Sequence, residues 1–210
     1  MFEQCKIALA QGFHIATHAI GDAANRMVLK VYAELFDKGF ADKNNILRIE
    51  HAQHIFPEDL LFFEKYPLIA SIQPIHCVSD ASTISEKRLG NRCSYAYPWK
   101  SLLNHNAIVI SGSDFPIENC NPFEGLKAYI YRIPFGKDKP WYPDECINLN
   151  EALDSYINVP NRLYKFYDKN LLNPSMGLII IDKPLNLLTY DSFIQVKAVI
   201  YDNKFYQFFS

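Results

Sequence analysis

What the chain lacks narrows its reading first. Nowhere does it carry five or six like charges in a row, and its formal net charge is -2 with a pI near 6.3. It therefore has no electrostatic footprint for nucleic acid or for an anionic membrane. The longest apolar runs, such as Gly177 to Ile181, fall far short of the roughly 20 residues a membrane span needs. The opening segment MFEQCKIALAQG carries Glu3 and has neither a basic start nor a long apolar stretch. It does not read as a secretory signal, and the expectation is a cytoplasmic protein. The five cysteines (Cys5, Cys77, Cys93, Cys120, Cys146) form an odd, scattered set without CxxC spacing. Such a set argues for reduced thiols and against a disulfide framework, a zinc knuckle or a redox pair. A GxGxxG fingerprint, an internal repeat and a low-complexity tract are also missing.

What is present suffices for a core, since 49% of the 210 residues are apolar. Up to about Arg132, strand-like and helix-like segments alternate. FHIATH reads as a strand; DAANRMVLKVYAELFDKG then places Met27, Val31 and Leu35 at helical spacing before a Gly39 stop. ILRIEHAQ, LIASIQP and IVISGSD read as three more strands, with PEDLLFFEKY and PFEGLKAYIYR as helices carrying an early proline. Strand-helix units in series predict a parallel sheet wrapped by helices. Between the third and fourth strands, Ile75 to Pro98 reads as a long polar loop, a length that is usually functional or mobile. NLNEALDSYINVPNRLYKFY reads as helical with a kink at Pro160, and GLIIID and SFIQVKAVIYDNKFYQFF as a β-rich tail with DNK as a hairpin turn.

Three of the four strands end on a potential metal ligand: His18 in THAIGD, His51 in RIEHAQ and Asp114 in SGSD. In parallel α/β folds, side chains at the C-terminal ends of strands converge on the face where active sites sit. Two imidazoles and a carboxylate suit a borderline divalent ion such as zinc. Taken singly, a strand-end histidine is more often a hydrogen-bonded structural residue; agreement among three strand ends shifts the reading toward a metal site. His76 and Asp80, after the remaining strand end, read equally as a polar wall facing a substrate or as a solvated loop. His14 and His54 read as structural, and Asp22 and Asp42 as capping residues. Tyr95, Tyr97, Trp99, Trp141 and Tyr142 either line an apolar pocket or pack against one another.

Five ordered motifs, HAIGDAAN, RIEHAQHI, SIQPIHCVSD, LGNRCSYAYPWKSLL and SGSDFPIENCNPFEGLKAYIYR, resemble the second half of the amidohydrolase-3 branch of the metal-dependent amidohydrolase superfamily, which includes enzymes similar to N-substituted formamide deformylase. The resemblance implies an α/β fold in which this chain is the second half of a metal-dependent (β/α)8 TIM barrel, strands five to eight, over residues 1–170. A β-sandwich tail over 171–210 would follow. It implies a divalent metal, zinc being expected, and hydrolysis of an amide-like C–N bond in a small-molecule substrate. Transferred by motif, His18 and His51 are metal ligands, and Asp114 is both a ligand and the catalytic proton acceptor. His76 and Arg92 are the candidate substrate or transition-state contacts.

The chain also departs from that pattern. It has no HxH pair, the hallmark of the family's first barrel strand, and its first motif is already the strand-five one. LLNPSMGLIIID reaches the sandwich strand without the family's G-K-x-A-D sequence. The implied molecule is a C-terminal portion with two open sheet edges, which calls for an N-terminal half-barrel chain or a second copy as partner. The alternative is a non-catalytic remnant or a partner-requiring subunit of a split amidohydrolase.

Overall fold

The computed structural model describes residues 1–164, 177–201 and 204–208. The chain divides into two compact units, Met1–Val159 and Pro160–Ser210. The expected boundary near residue 170 lies outside the described residues.

The first unit is built on a four-stranded parallel sheet in the order β1-β2-β3-β4, with β1 at Ile15–Ala19, β2 at Leu47–His51, β3 at Ile69–Ile72 and β4 at Ile108–Ser111. Order in space follows order in sequence because each strand returns through a helical connection, as parallel pairing requires. Helix α1 (Phe2–Ala10) precedes β1, α2 (Asp22–Asp37) joins β1 to β2, and α3 (Leu61–Lys65) lies between β2 and β3. The inner strands carry the core: Leu47 and Ile49 of β2 are fully buried, and every residue of β3 is buried. On β1, an edge strand, Ala16 and His18 are exposed.

Helix α2 differs from its sequence reading in phase. The buried stripe is Val28, Leu29, Tyr32 and Leu35, while Met27 faces solvent. Asn25 explains the rotation. Its side chain is fully buried, and Nδ2 lies within 3.1 Å of the carbonyl oxygens of Ala19, Ile20, Gly21 and His54. The amide thus fastens the turn after β1 to the segment after β2, and it turns inward the helix face that carries it.

The stretch expected as a long loop is largely helical. Helix α4 (Pro74–Asp80) runs into a wide π-type turn over Ala81–Ser85, then α5 (Glu86–Leu89), a 3-10 segment over Gly90–Tyr95, and α6 (Trp99–Asn104). Its polar composition concealed a buried side made of Ile75, His76, Cys77, Val78 and Ala81. After β4 come α7 (Pro122–Tyr131) and α8 (Leu149–Tyr156), the latter opened by a capping box between Asn148 and Glu151. The chain breaks at Ile157, ahead of the expected proline kink; Pro160 falls in the first turn of α9 (Asn158–Tyr164), where its missing N–H leaves no helical bond unmade.

The second unit contains a three-stranded antiparallel sheet, β5 (Leu178–Ile181), β6 (Val196–Tyr201) and β7 (Lys204–Gln207), with β6 central. Tyr201 pairs with Lys204, and Asp202 and Asn203 of the predicted DNK turn lie outside the described residues. No helix among the described residues is long and apolar enough to cross a membrane.

Candidate metal centre

The end of β2 and the turn after β4 aim a residue each at one point. His51 closes β2 and is buried, with φ at +77°; Asp114 follows β4 with φ at +56°. Both backbones sit in the left-handed region that non-glycine residues rarely adopt, a strain that clusters at functional sites because it redirects a side chain. Strand β3 contributes differently. Pro74 starts α4 immediately after the strand, and His76 stands in the helix's first turn, also buried.

The three residues converge. His51, His76 and Asp114 each offer one ligand atom, and these atoms lie within 4.8 Å of one another. His76 Nε2 is 3.6 Å from Asp114 Oδ2, too far for a hydrogen bond. Ligand atoms in a tetrahedral zinc shell, with bonds of about 2.1 Å, stand roughly 3.4 Å apart, so the gap is the right size for a shared cation. His51 Nδ1 is buried with no hydrogen bond in good geometry, the Gln73 side chain being a group that approaches the imidazole. Burial holds the His51 pKa below its ordinary value and the neighbouring His18 adds to this, against the pull of Asp114. A neutral imidazole is the form that binds metal.

His18, expected as a ligand, lies beside this cluster: its ring meets His51 edge to face with centroids 4.5 Å apart. His76, expected as a substrate contact, is one of the three clustered residues. Arg92, expected alongside it, donates to Asp22 Oδ2 at 2.7 Å, and Tyr95 donates to the same oxygen at 3.3 Å. Asp22 Oδ1 also accepts the Ala23 N–H. Burial opposes ionisation of Asp22, but the bonds from Arg92, Ala23 and Tyr95 outweigh it and keep the carboxyl below the ordinary carboxylate range. Asp22 is therefore more than a cap. His14 and His54 both bond backbone, His14 Nδ1 accepting the Ile46 N–H and His54 Nδ1 donating to the Ile20 carbonyl.

Sequence reasoning missed two residues. Glu118 Oε1 lies 3.0 Å from His76 Nδ1 and 2.6 Å from Ser79 Oγ. The only sequence signal was a carboxylate four positions beyond Asp114. Arg132 is completely buried and donates to the carbonyls of Trp141, Tyr97 and Ala96 at 2.6, 3.0 and 2.8 Å. Its guanidinium carbon stands 4.3 Å from the Trp99 ring and 5.4 Å from the Trp141 ring. Tyr97, Trp99 and Trp141 are thus packing partners of a buried arginine.

Residues 3–174 match the Amidohydrolase family. The chain belongs to the amidohydrolase family. The chain is 38% identical over 183 residues to the protein LONG AFTER FAR-RED 3 of Arabidopsis thaliana, covering 87% of this chain and 31% of that protein. It is 28% identical over 151 residues to YtcJ of Bacillus subtilis (strain 168), whose name assigns it to the amidohydrolases, covering 71% of this chain and 28% of YtcJ. Two solved structures described as uncharacterized metal-dependent hydrolases are similar. The one from Pyrococcus horikoshii has a TM-score of 0.63 at 26% identity over 77% of this chain, and the one from Pyrococcus furiosus a TM-score of 0.62 at 25% identity over 77%. They cover 32% and 31% of those chains, so this amidohydrolase chain spans about a third of the length of the relatives it matches.

Proposed function

We propose that this amidohydrolase chain carries the metal-binding half of a hydrolase that cleaves an amide-like C–N bond in a small molecule. The observation that supports this reading best is the convergence of His51, His76 and Asp114 to within 4.8 Å. In this reading β1 to β4 are strands five to eight of a (β/α)8 barrel, and the β5-β6-β7 sheet belongs to the sandwich that follows it. Zinc is the expected ion, because two imidazoles and one carboxylate leave a fourth position open, as catalytic zinc sites do.

A divalent ion held there supplies Lewis acidity toward a carbonyl and brings the pKa of water down to about 7. The chain's own residues do the rest. Asp114, exposed enough to meet substrate, accepts the proton of the attacking water and returns it to the leaving amine. His76 and His51 hold the metal side of the site, and the buried surroundings of His51 keep bulk water from that side. Arg92, fixed by Asp22, presents the rest of its guanidinium to substrate.

A second reading is a subunit that works only with a partner. It is favoured by the sheet edges: β1 and β4 are terminal in their sheet, and Phe13 and Ile20, which flank β1, are exposed at 61% and 38%. An N-terminal half-barrel, on the same polypeptide or a separate one, would cover these edges, as would a second copy of this chain.

Metal analysis of the purified chain and of His51→Ala and Asp114→Asn, with size exclusion, tests both readings. Stoichiometric zinc that is lost in both variants supports the metal-binding half. Hydrolysis of amides and N-substituted formamides that appears only on mixing with an N-terminal half supports the partner-requiring subunit. Metal-free wild-type protein in zinc-containing buffer would overturn the proposal.

A further inference from the structure

We infer that Glu118 is a positioning residue of the metal site, fixing which nitrogen of His76 faces the ion; the inference rests on the metal-site reading above. One segment, the connection from β4 to α7, bonds the His76 ring at Nδ1 and places a second carboxylate near Nε2. Nδ1 is 3.0 Å from Glu118 Oε1, and Nε2 is 3.6 Å from Asp114 Oδ2. A carboxylate oxygen only accepts, so Nδ1 donates to Glu118 and Nε2 is left to offer its lone pair on the Asp114 side.

Two features separate this arrangement from an incidental surface contact. The Glu118 side chain is 16% exposed, yet among the described residues no lysine or arginine ion-pairs with it. Its bonding partners are His76 and Ser79, one turn apart on α4. Ser79 Oγ lies 2.6 Å from the same Oε1 that binds the imidazole, and so aims that oxygen. Carboxylates placed behind metal-ligating histidines fix the tautomer and ring orientation, and removing one typically costs 10 to 100-fold in metal affinity.

The test uses the full 210-residue chain. Zinc affinity is measured by competition with a chromophoric chelator for wild type, Glu118→Ala, Glu118→Gln, Ser79→Ala and His76→Ala. The His76 tautomer is read in the metal-free chain from long-range nitrogen-proton correlations. The expected result is a loss of about 10 to 100-fold in Glu118→Ala. Glu118→Gln, which keeps an acceptor oxygen, should lose less, and Ser79→Ala less again. The metal-free wild type should hold its proton on Nδ1, and Glu118→Ala should shift it toward Nε2. If the wild type binds zinc and Glu118→Ala binds equally well, the inference is overturned while the metal-site reading stands. If the wild type binds no zinc, that reading fails, and the tautomer decides alone: Nδ1–H that depends on Glu118 supports the inference, and Nε2–H overturns it. Should Glu118→Ala fail to fold, Ser79→Ala and Glu118→Gln carry the same comparison, and unchanged affinity and tautomer in both overturn it.

Discussion

His18 and His51 meet edge to face with ring centroids 4.5 Å apart, although the sheet register pairs His18 with Glu50 and His51 with Ala19. The left-handed φ of His51, +77°, turns its ring out of the strand's own alternation toward its neighbour. His18 therefore borders the site while His51, His76 and Asp114 form its tight part. Among single alanine variants, His51→Ala and His76→Ala are expected to abolish stoichiometric divalent-metal binding, and His18→Ala to weaken it by about 10-fold. Metal titration of the four proteins checks the order; an equal loss in His18→Ala would place His18 among the direct ligands.

Arg132 should dominate the stability of the segment around it. Its removal strips the Arg132 donors from three buried carbonyls, of which Tyr97 keeps the Trp99 N–H, and leaves a void between Trp99 and Trp141. Arg132→Ala is expected to cost about 3 kcal/mol or more in urea unfolding. Arg132→Lys should recover little, because an ammonium cannot reach three carbonyls with a planar fork.

Gly125 on α7 marks a close approach. A Cβ there would stand 2.0 Å from the Tyr156 hydroxyl of α8 and 3.2 Å from Pro74, the residue that starts α4. Gly125→Ala is expected to destabilise the chain by about 1 to 3 kcal/mol despite its better helix propensity. A Tyr156→Phe background, which removes the clashing oxygen, should restore part of the loss.

Burial holds the His54 pKa below its ordinary value of 6.5, outweighing the bond from its ring to the Ile20 carbonyl. Its Nε2 is buried without a partner, so protonation would strand a charged N–H. Because the folded pKa is the lower one, the unfolded chain binds the extra proton, and stability falls as pH drops below about 6.5. The slope from this single group cannot exceed about 1.4 kcal/mol per pH unit. Urea midpoints of the metal-free chain between pH 7.5 and 5.5 should show the decline, and His54→Gln should flatten it. An unchanged slope would assign the decline to other groups.

All five cysteines are free thiols. Burial pushes the Cys77 thiol up to about 12, whereas Cys120 is exposed. A thiol reagent at neutral pH is expected to modify Cys120 first and to reach Cys77 only on unfolding. Mass spectrometry of the partly labelled chain checks this.

The sequence by itself determined the parallel α/β character of the first unit and the approximate places of its four strands. Short apolar strand signals recur in FHIATHAIGD, ILRIEHAQ and IVISGSD, and these are local signals that neighbouring residues write together. His51 was legible for the same reason, as a polar residue closing an apolar strand, and Asp114 as one that follows an apolar strand closely. The tertiary structure alone decided the rest. The segment from Ile75 to Pro98 is helical because one side of it is buried, which its polar composition does not reveal. His76 joined the tight cluster, and His18 the border, because backbone φ and helix placement set the direction of a side chain, and sequence spacing does not. Glu118 and Arg132 took their roles from partners 42 and up to 36 residues away in the chain. Contacts of that kind exist only once the chain has closed on itself, since their energy comes from groups brought together out of water.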